Sequence, residues 1–444
     1  MSSILIKNAL IVNDGISSEG SVLVDNGVIV KIFKAVPEIH ADVEIDASGK
    51  YLMPGVIDEH VHFRDPGLTA KADTLSESSA AAAGGVTSFM DMPNTKPQTV
   101  TLEALEDKFA NAAEHSVINY SYYFGATSRN FDLFPKLDRK HVCGIKLFMG
   151  ASTGNMLVDD RDSLCRIFDG TDMLIATHCE DQDIITRLAG EFRDKYAGGE
   201  VPVECHPLIR SEEACYRSSA LAVELADRYD SRLHVLHIST ARELSLFEDG
   251  RIEDKRITAE ACVPHLMFCD KDYAVSGALI KCNPAIKTER DRDALRNAVA
   301  GSRVDTVATD HAPHLLEDKK GDALTAVSGM PMLQFSLVCM LELAEQGLFG
   351  MEHVVEKMCH APARLYHIYR RGFIREGYKA DLVLVSKRSW ALRNDDIISK
   401  CKWSPLEGRT FSYHVDTTIV NGRIVYDDGR LSSPGAGEAL AFDY

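Results

Sequence analysis

Eight short apolar segments recur along the middle of the chain, and helical patterns lie between most of them. The segments lie at residues 56–62, 86–92, 118–124, 142–148, 173–178, 233–238, 257–262 and 304–310. Two intervening stretches carry clear helix signals: residues 74–83 are alanine-rich and end at Gly84-Gly85, and Ser211 can cap an amphipathic stretch that runs to Tyr229. Strands that alternate with helices form parallel sheets, and eight of them predict a (β/α)8 barrel, an α/β fold.

Both ends of the chain are rich in short strands instead. Near the N-terminus the turn Asp25-Asn26-Gly27 separates two alternating segments, and near the C-terminus Asn421-Gly422 does the same, which is a strong hairpin signal. Two β-rich ends that flank a different middle predict one small β-sandwich domain assembled from both termini. We therefore expect residues 1–53 and 375–444 to form this domain, and residues 54–374 to form the catalytic barrel.

The composition limits the class of function and the location of the protein. The 444 residues carry a net charge of −17, which disfavours non-specific binding to nucleic acids and to anionic membrane surfaces. No apolar run reaches the length of a transmembrane helix, and the N-terminus has no signal-peptide pattern. The eleven cysteines form no CxxC pair, which is typical of a protein in a reducing compartment. We expect a cytoplasmic protein that acts on a small molecule and binds neither nucleic acid nor membrane.

The first apolar segment ends in two histidines separated by one residue, His60 and His62. Side chains at positions i and i+2 of a strand point to the same side, so both imidazoles would face one centre, as half of a metal site does. Arg64 follows on a turn marked by Pro66 and Gly67. A fixed cation beside a metal site suggests an anionic substrate.

The other predicted strands carry unusual polar residues at or near the same edge. In a barrel of this kind the chemistry takes place at the C-terminal ends of the strands. Each of these residues alone could be an ordinary core residue, but several at one edge indicate a shared site. They are Asn94 after the second segment, Lys146 inside the fourth, His178 and His237 at the ends of the fifth and sixth, and Asp310 at the end of the eighth.

Lys146 needs a physical reason, because an unpaired ammonium inside an apolar strand is costly. Capture of CO₂ would convert it into a carbamate, an anion with two oxygens that can bridge two metal ions. The alternative is a lysine that extends its charged end to the barrel mouth.

Zinc accepts histidine nitrogen and carboxylate oxygen, so the set can be divided between two ions. The expected ligands are His60, His62 and Asp310 on one Zn²⁺, His178 and His237 on the other, and carbamylated Lys146 with a hydroxide as bridges. Two zinc ions supply four positive charges, and the carbamate, Asp310 and hydroxide supply three negative ones. A centre near one positive charge suits a reaction that develops an oxyanion.

This pattern of ligands resembles the amidohydrolase superfamily. Within it, four motifs make the chain similar to the class I dihydroorotases: His62-Phe63-Arg64-Asp65-Pro66-Gly67, Met92-Pro93-Asn94-Thr95, Lys281-Cys282-Asn283-Pro284 and Asp310-His311-Ala312-Pro313-His314. The resemblance implies reversible cyclisation of N-carbamoyl-L-aspartate to L-dihydroorotate, a step in the synthesis of pyrimidines and UMP. It also implies a binuclear zinc-bound hydroxide, Asp310 as the general acid and base, and substrate contacts from Arg64, Asn94, Asn283 and His314. By analogy, a homodimer is expected.

Several alternatives remain open at this point. A loop aspartate, Asp159 or Asp160, could bridge the metals in place of Lys146. Allantoinase, hydantoinase and dihydropyrimidinase are rival cyclic amidases, and Arg64 is the discriminating residue because their substrates lack the α-carboxylate. A non-catalytic scaffold is disfavoured because all candidate ligands are present. The loops at residues 151–156 and 315–330 could close over the substrate or simply connect elements.

Overall fold

The computed structural model describes residues 3–150 and 156–443, and its centre is a barrel of eight parallel strands. Strands that are neighbours in sequence are neighbours in the sheet, and the barrel closes where Val61 pairs with His311. The sequence prediction of a (β/α)8 barrel is confirmed. The strands, named here first to eighth, are Val56–Val61, Val86–Asp91, Asn119–Gly125, Gly144–Phe148, Ile175–His178, Leu233–Val235, Ile257–Cys262 and Thr306–Ala308.

Helices between the strands cover the barrel, which explains why the strands are apolar on both faces. The helix predicted at 74–83 is present as Thr74–Ala83, and Ser211 caps its helix by accepting a hydrogen bond from the Ala214 N–H. The α-helices are Thr74–Ala83, Leu102–His115, Arg161–Asp169, Gln182–Lys195, His206–Ile209, Glu212–Tyr229, Val263–Met267, Tyr273–Ser276, Glu289–Ala300, Ser336–Glu345, Met351–Val355 and Ala361–Leu365.

Strands from both termini join in a second, nine-stranded and mostly antiparallel sheet. At the predicted first hairpin, Asn26 and Gly27 have φ of 49° and 80°, the backbone that a two-residue type I′ turn requires. The strands are Ile4–Asn13, Ile16–Asp25, Val28–Phe33, Val43–Asp46, Lys50–Pro54, Leu382–Ser386, His414–Val420, Arg423–Asp427 and Arg430–Leu431. A small further hairpin pairs Trp390–Ala391 with Thr410–Phe411. The domain boundaries at 53/54 and 374/375 stay a prediction.

A buried polar contact fastens the terminal sheet to the barrel. Asp381 accepts hydrogen bonds from Asn119 Nδ2 (3.1 Å) and Asn421 N (2.8 Å), and it pairs with Arg371. Asn119 begins the third barrel strand, so this contact lies at the N-terminal end of the barrel. The opposite edge, where the chain carries its unusual polar residues, is left for chemistry. Within the described part of the chain, no helix is both long and apolar enough to cross a bilayer.

Candidate active site

A pocket at the C-terminal edge of the barrel brings together all ten residues singled out in the sequence. Their roles as ligands or substrate contacts stay predictions, but their convergence on one cavity is a structural fact. The lining residues are His60, His62, Arg64, Asn94, Lys146, Phe148, His178, His237, Asn283, Asp310, Ala312, His314, Ser328 and Gly329.

The first group of candidate ligands surrounds the carboxylate of Asp310. Its Oδ1 lies 3.2 Å from His60 Nε2 and 3.1 Å from His62 Nε2. The far nitrogens of both rings have acceptors: His60 Nδ1 lies 2.8 Å from Glu260 Oε1, and His62 Nδ1 lies 2.8 Å from Asn94 Oδ1. When each ring carries its proton on Nδ1 and donates it in a hydrogen bond to this acceptor, both Nε2 lone pairs point towards Asp310. Metal-binding histidines are oriented in this way.

The charges in this group favour a cation at its centre. Burial lowers the pKa of His60, but the carboxylates of Glu260 and Asp310 outweigh it and raise that pKa to about 9. Burial raises the pKa of Asp310, but His60 and His62 hold it well below its usual range. The carboxylate thus stabilises a positive charge bound at the imidazole nitrogens, and either a proton or a metal ion can supply that charge.

The second group contains two histidines that face each other. His178 Nδ1 lies 2.9 Å from His237 Nε2, and His178 Nε2 donates to Glu180 Oε2 at 3.0 Å. Despite burial, the neighbouring Arg210 lowers the pKa of Glu180 to about 2, so Glu180 is an ionised acceptor. Burial and the adjacent His178 hold the pKa of His237 well below its usual value. Two neutral imidazoles that converge in this way have the arrangement expected of a metal half-site.

Lys146, on the fourth strand, lines the same pocket, with only 1% of its surface exposed. Burial lowers its pKa to about 8, although Glu260 and Asp310 oppose the change. A neutral amine, the form that reacts with CO₂, is therefore accessible. Asp159 and Asp160 are exposed and do not line the pocket, and Asp160 instead caps the helix Arg161–Asp169. Their placement favours Lys146 over a loop aspartate as a bridge.

This donor set fits a divalent metal site, and His60, His62 and Asp310 bring three donor atoms within 4.8 Å of one another. It combines four imidazoles with a carboxylate and a lysine that can become an anion, and nitrogen and oxygen donors of this kind suit zinc. Three of the four rings, those of His60, His62 and His178, have an acceptor at the nitrogen that points away from the centre. The rings are thus held in the tautomers that metal binding needs.

Another part of the pocket lining is suited to an anion. The Arg64 side chain is 5% exposed, its Nε donates to Pro313 O at 3.1 Å, and its Nη2 lies 3.0 Å from His314 Nε2. Burial lowers the pKa of Arg64 to about 10, so the guanidinium remains charged at neutral pH. Across residues 3–150 and 156–443, no carboxylate forms an ion pair with it, and the buried Oδ1 of Asn283 has no hydrogen-bond partner. A ligand that offers a carboxylate and an N–H would satisfy both.

Three residues of the site have a backbone conformation that is unfavourable for side chains. Arg64, His237 and Asp310 have φ of 66°, 38° and 47°. Each such residue costs on the order of 1–3 kcal/mol and persists only where its surroundings hold it. The sixth strand ends at Val235, before His237, and the eighth ends at Ala308, before Asp310. Both His237 and Asp310 line the pocket.

Two glutamates of the site were missed by the sequence reasoning. Glu260, in the seventh strand, accepts a hydrogen bond from His60 Nδ1 and another from the backbone N–H of His237 at 2.9 Å. Glu180, two residues after His178, supports that ring. The signal that could have found Glu260 is the one that found Lys146, a charged residue inside an apolar strand.

Two other residues beside the ligands have structural roles. His311, between the predicted site residues Asp310 and His314, binds Glu77 through Nε2 at 2.8 Å and accepts from the Met332 N–H. Burial raises the pKa of Cys179 to about 11, so this thiol is not a poised nucleophile.

The loop at 315–330 forms one wall of the pocket. Lys319 Nζ donates to the carbonyls of Lys281, Val327 and Gly329 at 3.0, 2.8 and 2.7 Å, which ties this wall to the loop after the seventh strand. A Cβ atom at Gly329 would lie 2.9 Å from the His314 ring, so the close approach requires glycine. Closure of this loop stays a prediction. Of the other suggested lid, residues 151–155 lie outside the described residues.

Comparisons with known proteins place this geometry in context. The family model of the amidohydrolase family matches residues 51–188 and 216–425. A dihydroorotase of Halobacterium salinarum is 33% identical over 89% of this chain and 91% of its own length, and an allantoinase of Bacillus velezensis is 29% identical over 98% and 96%. Among solved structures, the L-hydantoinase (dihydropyrimidinase) of Arthrobacter aurescens superposes with a TM-score of 0.94 at 28% identity, covering 99% of this chain and 100% of its own.

Proposed function

This chain belongs to the amidohydrolase family, and within that family we propose that it is a dihydroorotase. It would interconvert N-carbamoyl-L-aspartate and L-dihydroorotate in the synthesis of pyrimidines and UMP. The observation that carries the proposal is Arg64, a buried guanidinium that lines the pocket and has no ion-pair partner in the described chain. A buried charge is costly unless it is paired, and the α-carboxylate of dihydroorotate supplies the pair.

The ring of the substrate would lie between this guanidinium and the candidate metal ligands. Arg64 presents a planar fork to the carboxylate, and His314 lies beside it. Asn283 Oδ1 can accept a ring N–H. Asn94 lines the same pocket, and its Oδ1 accepts a hydrogen bond from His62 Nδ1.

We propose that the pocket binds two zinc ions, one held by His60, His62 and Asp310 and one by His178 and His237. The neutral amine of Lys146 would add to CO₂, forming an N–C bond and losing a proton, and the resulting carbamate would bridge the ions. Bound zinc would supply the charge that activates a water molecule and polarises the ring carbonyl. Carbon-13 NMR of protein prepared in labelled bicarbonate tests the carbamate: its signal should appear in the wild type and be absent from Lys146→Ala. A spectrum without it would refute the carbamate.

Asp310 would move the proton during the reaction. Its low pKa keeps it ionised at neutral pH, and it lies inside the pocket next to His60 and His62. In hydrolysis it would accept a proton from the attacking water and deliver it to the ring nitrogen as the C–N bond breaks. In synthesis it would take a proton from the carbamoyl nitrogen as that nitrogen attacks the side-chain carboxylate, and it would return this proton to the carboxylate oxygen, which leaves as hydroxide when its C–O bond breaks. Such general acid–base help contributes roughly 10²–10⁴-fold to the rate.

The proposal is tested by a substrate comparison on one zinc-loaded preparation. Dihydroorotate, dihydrouracil, allantoin and a 5-substituted hydantoin are assayed for ring opening. We expect the highest kcat/KM for dihydroorotate, because it alone carries a carboxylate on the ring. A higher value for a neutral ring would overturn the proposal in favour of another cyclic amidase, as the allantoinase and hydantoinase relatives suggest.

Two further expectations concern the setting of the enzyme. All eleven cysteines are free and ten of them are buried, which supports a reducing compartment such as the cytoplasm. Fractionation of the source cells tests this location, and recovery in a secreted or membrane fraction would contradict it. The expected homodimer is tested by sedimentation, where a monomer at micromolar concentration would count against it.

A further inference from the structure

The ammonium of Lys319 is buried behind one wall of the candidate active site. The wall consists of residues 327–329, two of which line the pocket, and Lys319 is 4% exposed. An ammonium has three N–H donors and no acceptor. Lys319 Nζ donates to the backbone carbonyls of Lys281, Val327 and Gly329 at 3.0, 2.8 and 2.7 Å, so each donor has one acceptor.

This ammonium has no carboxylate partner within residues 3–150 and 156–443. The acidic side chains next to it in the sequence pair with other lysines: Asp318 with Lys71 at 3.0 Å, and Glu317 with Lys320 at 2.6 Å. A buried charge is costly unless its hydrogen bonds are satisfied, and here backbone carbonyls supply the acceptors. Lys319 does not line the pocket and has no donor left for a ligand, so it can affect the substrate only through the wall.

The three hydrogen bonds join two segments that both carry pocket residues. Lys281 precedes Asn283, which lines the pocket, by two residues. The Lys281 carbonyl also accepts from the Gly329 N–H at 2.8 Å, and Lys281 Nζ donates to the carbonyl of Ala326. Without the ammonium, the carbonyls of Val327 and Gly329 would lose a buried donor, and an unsatisfied buried carbonyl is unfavourable. The wall would then be free to move away from the segment of Lys281.

The wall approaches the segment 312–314 closely. Gly329 has φ of 130°, and a Cβ atom there would lie 2.6 Å from the Ala312 carbonyl oxygen and 2.9 Å from the His314 ring. The pocket has a volume of about 90 Å³, whereas the neighbouring cavity lined by Leu68 and Lys96 has about 550 Å³. The position of the wall therefore limits the size of the ring that the pocket accepts.

We propose that Lys319 is a specificity-determining positioning residue, whose ammonium holds the 327–329 wall in place so that the pocket accepts small rings and excludes bulky ones. Loss of the ammonium should widen the pocket, which weakens the binding of a small ring and favours a large one in comparison. The identity of the small ring as dihydroorotate rests on the proposed function. The size limit does not, because it applies to any cyclic amide that enters the pocket.

The size limit is tested with Lys319→Met, which removes the ammonium and keeps a long, unbranched side chain. Hydantoin and 5-benzylhydantoin are compared by kcat/KM, or by inhibition constants against the ring that the enzyme opens fastest. We expect the preference for the smaller ring to fall about tenfold, the effect of about one net hydrogen bond. This ratio does not depend on how much of the protein is folded. An unchanged preference would overturn the proposal.

The same variant should separate KM from kcat for dihydroorotate. We expect KM to rise about tenfold and kcat to stay within about threefold of the wild type, because Lys319 touches neither the candidate metal ligands nor the reacting atoms. Lys320→Met is the matched control, since it removes the next lysine along the chain, which is exposed and pairs with Glu317. An equal change in Lys320→Met would show that only the total charge matters.

Two further measurements keep the proposal testable if Lys319→Met is poorly folded. Gly329→Ala keeps the ammonium but pushes the wall away from His314, so the preference for the smaller ring should also fall; an unchanged preference there would contradict the size limit. In Lys319→Met, hydrogen exchange should accelerate at the Gly329 amide and remain at the wild-type rate in the strand Gly144–Phe148. Equal acceleration in both would show that Lys319 only supports the fold.

The outcomes also separate this inference from the proposed function. If the wild type does not open dihydroorotate, the proposed function fails, and the hydantoin comparison still decides whether Lys319 sets the size limit. If dihydroorotate is the substrate and the size preference of Lys319→Met is that of the wild type, the inference fails alone.

Discussion

The buried guanidinium of Arg64 gives the sharpest prediction for the proposed specificity. The change is Arg64→Met, tested with dihydroorotate and with dihydrouracil, which has the same ring without the carboxylate. Arg64 is 5% exposed and has no ion-pair partner in the described chain, so a carboxylate bound there would be sheltered from water. A hydrogen bond to a charged group contributes about 1.5–3 kcal/mol, which corresponds to a loss of about 10- to 160-fold in kcat/KM.

This loss should be confined to the substrate that carries the carboxylate. For dihydrouracil, kcat/KM of Arg64→Met should stay within about threefold of the wild type, since no charged partner is lost. The assay is ring opening of both substrates by wild type and variant, each checked for metal content because Arg64 follows His62 by two residues. An equal fall for both substrates would show that Arg64 supports the fold or the metals, and no fall for dihydroorotate would refute its role in carboxylate binding.

Two further predictions concern the ligands and their support. Asp310→Asn should lower kcat by roughly 10²–10⁴-fold while the circular dichroism spectrum stays that of the wild type, because the side chain keeps its volume and loses its basicity; wild-type turnover would contradict its role. Glu260→Gln should weaken metal binding about 10- to 100-fold in competition with a chelator, because His60 loses its ionised acceptor. An unchanged affinity would mean that the tautomer of His60 is set by another group.

The barrel and the hairpin turns could be predicted from the sequence because their signals are local. An apolar run, an alanine-rich helix and an Asn-Gly turn each depend on a few consecutive residues, and the fold that the eight strands require follows from their alternation with helices. The convergence of His60, His178 and Asp310 also followed, because parallel strands of a barrel end at one edge.

The contacts that orient these residues could not be predicted in the same way. Glu260 is 200 residues from His60, and Lys71 is 243 residues from His314, so no spacing in the sequence indicates either pair. Asn94 was expected to contact the substrate, which stays a prediction. The sequence did not indicate that Asn94 Oδ1 accepts a hydrogen bond from His62 Nδ1. Which nitrogen of a histidine is protonated depends on such distant partners.

The central claim is that the pocket forms a two-metal centre on which activity depends. Its most direct test is a titration of metal-free protein with zinc while the hydrolysis of dihydroorotate is followed. We predict no activity without metal and a rise that ends at two zinc ions per chain. Full activity in metal-free protein, or saturation at one ion per chain, would contradict the claim.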